Sequence, residues 1–123
     1  MGHEFEAVSR RIIGAAIHVH RTLGPGFPEA TYQGALRVAF ERRGIEFVEQ
    51  QPVTVSYEGV VVGHGRLDFL VERDLVIELK AVTALHDVHF AQLRSYLKAT
   101  GIRKGLLFNF NAARLEIRRV LEG

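Results

Sequence analysis

The segment Leu75-Val76-Ile77-Glu78-Leu79-Lys80-Ala81 fixes more of the architecture than any other stretch of this 123-residue chain. It reads as the central strand of a sheet, yet two charges interrupt it. Residues two apart on a strand face the same way, so Glu78 and Lys80 stand side by side. Burying either charge alone is costly, so each needs a partner, solvent or a metal. Asp68 on the preceding strand is the nearest candidate, and pairing register decides whether it reaches. A loop made of Arg73-Asp74 would set Asp68 opposite Leu79. A loop made of Glu72-Arg73-Asp74 sets Val71 opposite Leu75 and Asp68 opposite Glu78. The second register also puts Leu67, Phe69 and Val71 on the face of Leu75, Ile77 and Leu79, an apolar surface that a one-residue slip destroys. Hydrophobic pattern therefore selects the register that gathers Asp68, Glu78 and Lys80. Two carboxylates about 5 Å apart across strands repel unless a cation lies between them. The competing explanation is an ion pair on a solvated face, which leaves one of the two acids over.

On either side of these strands the periodicity changes. Over 4–23, apolar residues recur at Phe5, Val8, Ile12, Ala15, Ala16, Val19 and Leu23, one helical face. Gly24-Pro25-Gly26 stops that helix. Pro28 suits the first position of a second helix, whose buried stripe is Tyr32, Leu36, Ala39 and Phe40 and which Arg42-Arg43-Gly44 closes. Ile45, Phe47, Val53, Val55 and Tyr57 then alternate with polar residues, as in half-buried strands. Glu58-Gly59 turns into Val60-Val61-Val62, and Gly63 and Gly65 predict a bend or bulge before a strand over 66–71. Helical spacing returns at Val88, Ala91, Leu93, Tyr96 and Leu97 and ends at Gly101, followed by strands over 105–110 and 115–120. Two helices, about four strands, a helix and two strands make one α/β domain over 1–123. Its last helix is a crossover able to bring a later strand in parallel.

Composition excludes several chemistries. Hydrophobic residues at 47% and charged residues at 24% fit a folded globular chain, not a disordered one. No apolar run approaches the roughly 20 residues of a membrane helix. The first residues lack a basic flank followed by an apolar stretch, so a cytoplasmic protein is expected. Zero cysteines exclude a disulfide framework, a thiolate zinc site and a cysteine nucleophile. No serine has a His/Asp partner pattern. Gly24-Pro25-Gly26 is not a phosphate cradle, since no Gly-Lys-Ser/Thr follows. A net charge of +2 permits nucleic acid as a partner without demanding it.

Asp68, nine intervening residues, then Glu78-Leu79-Lys80 match the spacing and strand placement of the PD-(D/E)XK nuclease superfamily, with Leu67 where that name has proline. Gly26-Phe27-Pro28-Glu29-Ala30-Thr31-Tyr32 reads as GxxExxY. With Ile12-Ile13-Gly14, Val19-His20-Arg21 and Leu23-Gly24-Pro25-Gly26 around it, the chain resembles the small bacterial GxxExxY proteins, a branch of that superfamily. Gln92-Leu93-Arg94-Ser95-Tyr96 is similar to the QxxxY element that follows the ExK strand in exonuclease-type members. The likeness runs over about 11–110. It implies a restriction-endonuclease-like αβββαβ core, a mixed central sheet flanked by helices, here with an extra N-terminal helix and a C-terminal strand. It further implies that Asp68, Glu78 and the Leu79 carbonyl ligate Mg²⁺ or Mn²⁺, with Glu29 completing or orienting the metal site. Lys80 would handle the attacking water. The implied activity is metal-dependent phosphodiester hydrolysis, in DNA more than RNA. The alternative is a non-catalytic nucleic-acid-binding or assembly module that retains the fold.

The remaining candidates are weighed against plain packing. Gln92 and Tyr96 lie four apart on one helical face and suit a phosphate or a metal-held water. His89, one turn before Gln92, lines the same cleft; with His86 its competing role is structural. His18 and His20 point to different sides of a helix and do not share a metal. Tyr32 is core by periodicity, while its place in the resemblance makes its hydroxyl a candidate to orient Glu29. The doublets Arg10-Arg11, Arg42-Arg43 and Arg118-Arg119 are solvated faces or phosphate contacts. A minimal domain offers little recognition surface, so a homodimer or a partner chain is expected. Phe5, Val8, Leu115, Ile117 and Val120 are its candidate contacts, the competing explanation being that they cover their own sheet.

Overall fold

The computed structural model describes residues 2–122, with side chains from residue 6 onward. The helical stripe at the start forms α1 (Gly2–Leu23), and the break at Gly24 leads into α2 (Glu29–Arg42). Pro28 does not open that helix but caps it, with an extended ψ of 154° that leaves Glu29 as the first helical residue. Three strands follow, β1 (Phe47–Tyr57), β2 (Val60–Val71) and β3 (Leu75–Lys80). The crossover helix α3 (Asp87–Thr100) then leads to β4 (Lys104–Asn109) and β5 (Glu116–Leu121). The five strands lie in the order β1-β2-β3-β4-β5. Among the described strands only β3 and β4 run parallel, as a connection through a helix requires. This is the expected α/β architecture, a mixed sheet flanked by helices.

The two faces are covered differently. Beneath α1 and α2, Ile12, Tyr32, Leu36 and Phe40 pack on Phe69, Ile77, Leu79 and Phe108. Beneath α3, Leu93 and Leu97 pack on Val53, Val76 and Leu107. β3 is therefore buried on both sides, which explains its near-continuous apolar run. Val88 does not join α3's buried stripe and stands exposed. No described helix is long and apolar enough to cross a membrane.

Two expectations about β2 are corrected. Val60-Val61-Val62 and the strand over 66–71 are one strand, so three strands precede α3, not about four. The expected irregularity is present beside Gly63: Val55 pairs with Gly63 and Ser56 with Val61, which leaves Val62 of β2 without a partner in the ladder. Gly65 is needed for another reason: a Cβ there would lie 2.8 Å from Cε1 and Oη of Tyr96, whose ring lies over it. Leu67 does not share the face of Phe69 and Val71 but packs beneath α3. Opposite Asp68, Gln50 adopts a left-handed φ of 56° and interrupts the pairing between Glu49↔Phe69 and Gln51↔Leu67. The strand turns over at that point.

Val55 and Tyr57 are exposed at the hairpin tip, not half-buried as alternation predicts, and Val60, Val61 and Val62 are exposed beside them. In contrast Val8, Leu115 and Ile117 pack against the core beneath α1, and Val120 is buried beneath α3. These residues pack against their own sheet, Val8, Leu115 and Ile117 only in part; the Phe5 side chain lies outside the described residues.

Candidate active site

The β2–β3 ladder has three rungs, Val71↔Leu75, Leu70↔Val76 and Phe69↔Ile77. This is the register selected by the apolar pattern, and its turn is the expected one, with Glu72 and Arg73 at positive φ. The next rung would pair Asp68 with Glu78, but there the strands fork and side chains replace backbone. The Leu79 N–H donates to Oδ2 of Asp68 at 2.9 Å, and the Asp68 N–H reaches Oε1 of Glu78 at 3.4 Å. Along an extended strand a residue's N–H and C=O point to the same edge. The Leu79 carbonyl therefore faces this fork as well. Two carboxylates and a carbonyl converge where the sheet opens.

The electrostatics follow from that crowding. Glu78 is 5% exposed. Burial, then the Asp68 charge and hydrogen bond, push its carboxyl up to about 9, and the nearby Lys80 offsets this only in part. Lys80 itself is steered by α3, where Oε1 of Gln92 accepts from its Nζ at 3.0 Å. Glu29 enters from the opposite side as the exposed first residue of α2. Partial burial and the Asp68 charge raise its pKa, while Lys80 opposes the rise. Asp68, Glu78, Lys80 and Glu29 thus share one electrostatic neighbourhood, joined by Gln92 through Lys80.

Other expected site residues are placed differently. Tyr32 is fully buried. Its hydroxyl donates to the Gly24 carbonyl at 2.6 Å and accepts from the Phe27 N–H at 3.2 Å. It braces the loop between the first two helices, so it neither orients Glu29 directly nor faces substrate. Nδ1 of His89 accepts the His86 N–H at 2.9 Å, which makes the histidine pair a helix-start device. Tyr96 rests on Gly65, one turn along α3 from Gln92. His20 donates through Nε2 to the Ala112 carbonyl, while His18 is exposed on another side of the helix.

Two supports carry little sequence signal. Gln33, one turn after Glu29, donates through Nε2 to the Asp68 carbonyl at 3.2 Å and to Glu49 at 2.8 Å. The Arg37 guanidinium forks onto the same Glu49 at 2.6 and 3.0 Å, and these contacts hold the Glu49 carboxyl below its usual range. The spacing of 29, 33 and 37 along one stripe is the only available hint. Asn109, fully buried at the end of β4, clamps both backbone groups of Val82 at 3.0 and 2.9 Å and reaches Glu116 at 2.6 Å. A polar residue closing an apolar strand is its only signal.

Among the described residues no three histidine, aspartate or glutamate side chains gather into a ready cation cage. Asp68 and Glu78 still fit a hard divalent ion. Mg²⁺ binds through one or two carboxylates, keeps several waters and takes substrate phosphates as further ligands. The crowding at the fork is the kind that such a charge relieves.

Comparison with known proteins agrees with the geometry. A family model described as the PD-(D/E)XK nuclease superfamily matches residues 6–120. Among solved structures, the crystal structure of SSO0001 is similar, with 21% identity and a TM-score of 0.61 over 76% of this chain and 49% of that one. At that identity the likeness is one of fold, and the chain spans about half the length of that relative. No curated protein matches it.

Proposed function

The chain belongs to the PD-(D/E)XK nuclease superfamily, and from that membership and the forked strands we propose a divalent-metal-dependent nuclease of the GxxExxY branch, acting on DNA before RNA. One observation carries the proposal: Asp68 and Glu78 meet at the end of the β2–β3 ladder, with Lys80 held beside them by Gln92. Asp68, Glu78 and the Leu79 carbonyl would hold Mg²⁺ or Mn²⁺, the kind of cofactor this superfamily generally uses. Bound there, the cation polarises the phosphodiester and makes the attacking water more acidic. Lys80 orients that water and offsets charge building on phosphorus. Glu29, across the fork, accepts a proton or hydrogen-bonds the waters around the site. Gln92 and Tyr96 offer an amide and a hydroxyl to the substrate phosphates. His89 has only its second ring nitrogen left for the same purpose.

The reading keeps a cytoplasmic location, on the cysteine-free composition, and a homodimer. The second copy is assigned to the hairpin tip, where Val55, Tyr57, Val60, Val61 and Val62 are exposed at the end of β1, an edge strand that needs a cover. Calorimetric titration with Mn²⁺, paired with a DNA-cleavage assay, tests the activity in wild type and Asp68→Asn. Binding and cleavage lost together in the variant support it. Equal, negligible binding by both proteins overturns it.

A further inference from the structure

A cavity of about 490 Å³ opens between the last turns of α1 and the connection from β4 to β5, lined by Ile17, His20, Arg21, Ala113, Arg114 and Leu115. Its charged side chains are two arginines, and among the described residues no carboxylate lines it. Both arginines are exposed, and neither makes an ion pair or hydrogen bond among the described residues. Two unpaired guanidinium groups facing one cavity repel each other and favour an anion between them. The C-terminal end of α1 carries a partial charge of only about −0.5, which two full positive charges outweigh.

The wall that presents Arg114 is fixed. His20 is 8% exposed, and its Nε2–H donates to the Ala112 carbonyl at 2.9 Å, which ties the connection to α1. The same histidine ring lies 6.3 Å from Phe110, and the Phe110 N–H donates to the Lys80 carbonyl at 2.9 Å. One residue at the exit of β4 therefore separates this cavity from the lysine of the fork. Both open at the same end of the sheet.

We infer that this cavity is a subsite for backbone phosphate, holding a nucleic-acid strand beside the fork through Arg21 and Arg114. The inference rests on the nuclease reading for the identity of the strand. Guanidinium forks match phosphate oxygens in pairs. The open volume is far more than a single phosphate fills, so it suits a strand passing across rather than an enclosed small anion.

The test is anisotropy of a labelled DNA duplex across a salt series, without divalent metal, in an Asp68→Asn background that removes cleavage. Arg21→Ala and Arg114→Ala are each expected to weaken binding and to lower the slope of log K against log salt by about 0.9. Arg114→Lys keeps the slope, because the charge remains. Arg73→Ala, at the opposite end of β3, leaves both quantities unchanged. An unaltered slope in the Arg21/Arg114 double variant overturns the inference, and unchanged far-ultraviolet dichroism shows that the double variant is folded. A second arm uses inorganic phosphate alone. Thermal stabilisation that the double variant loses, together with unchanged duplex binding, would make this a free-anion site and also overturn the inference. Failure of the nuclease reading appears in the Mn²⁺ titration, which this readout does not use.

Discussion

The Leu79 N–H donates to the Asp68 carboxylate at 2.9 Å, so an acidic side chain stands where the next backbone acceptor of the ladder would be. The aspartate thereby serves two ends. It satisfies a buried backbone donor and crowds a second carboxylate, and the two effects separate by substitution.

Asp68→Asn keeps an oxygen for the Leu79 N–H, whereas Asp68→Ala leaves that donor unsatisfied at a cost of about 1–3 kcal/mol. Both variants are expected to lose divalent-metal affinity, and only the alanine variant to show the larger fall in thermal stability. Equal stability of the two in calorimetric scans would contradict the bonding described at the fork.

Stability should fall with rising pH in the metal-free protein. Glu78 titrates in the unfolded chain near about 4.3 and in the folded protein at about 9. A carboxyl raised in this way contributes fully below the unfolded value, and that contribution is lost as pH climbs through the folded one. Melting temperatures measured across this window should decline, Glu78→Gln should flatten the decline, and Mg²⁺ should restore stability at its upper end. A flat wild-type profile would refute the crowding.

Tyr32→Phe removes the donor to Gly24 and the acceptor for Phe27 while keeping the ring stacked on Phe110 at 4.7 Å. We expect a loss of about 1–3 kcal/mol. Cleavage should fall through displacement of Glu29, with metal affinity unchanged. Loss of metal affinity in this variant would show that the tyrosine acts on the fork itself.

At Gly65, alanine would press a methyl group into the Tyr96 ring. The expected cost is about 1–3 kcal/mol, and Tyr96→Ala should relieve most of it. Additive effects in the double-mutant cycle would mean that the two residues do not meet.

Light scattering at micromolar concentration should give twice the mass of one chain, and Val61→Lys should halve it. A single-chain mass that does not change on concentration removes the homodimer.

The legible parts of this molecule were those that one periodicity controls. Helical stripes and the alternation around Phe69 and Ile77 reported α1, α2 and the register of β2 on β3, because one slip exposes a whole apolar face. Leu67 escaped, since a left-handed Gln50 on the neighbouring strand decides which way it turns. Tyr32 escaped because its hydroxyl partners are set by the loop that it closes. Gln33 and Asn109 act through backbone atoms of distant residues, and no local pattern encodes those encounters.

The Asn109 clamp also orders how the molecule comes together. Asp68 and Glu78 are 10 residues apart, within reach of a hairpin that closes by itself. Asn109 and Val82 are 27 apart, and closing that longer loop costs about 0.9 kcal/mol more in chain entropy. Local pairing therefore precedes the parallel strand. During folding the two acids meet while the segment after Lys80 is still unpinned, and the lysine reaches its final place only when β4 docks.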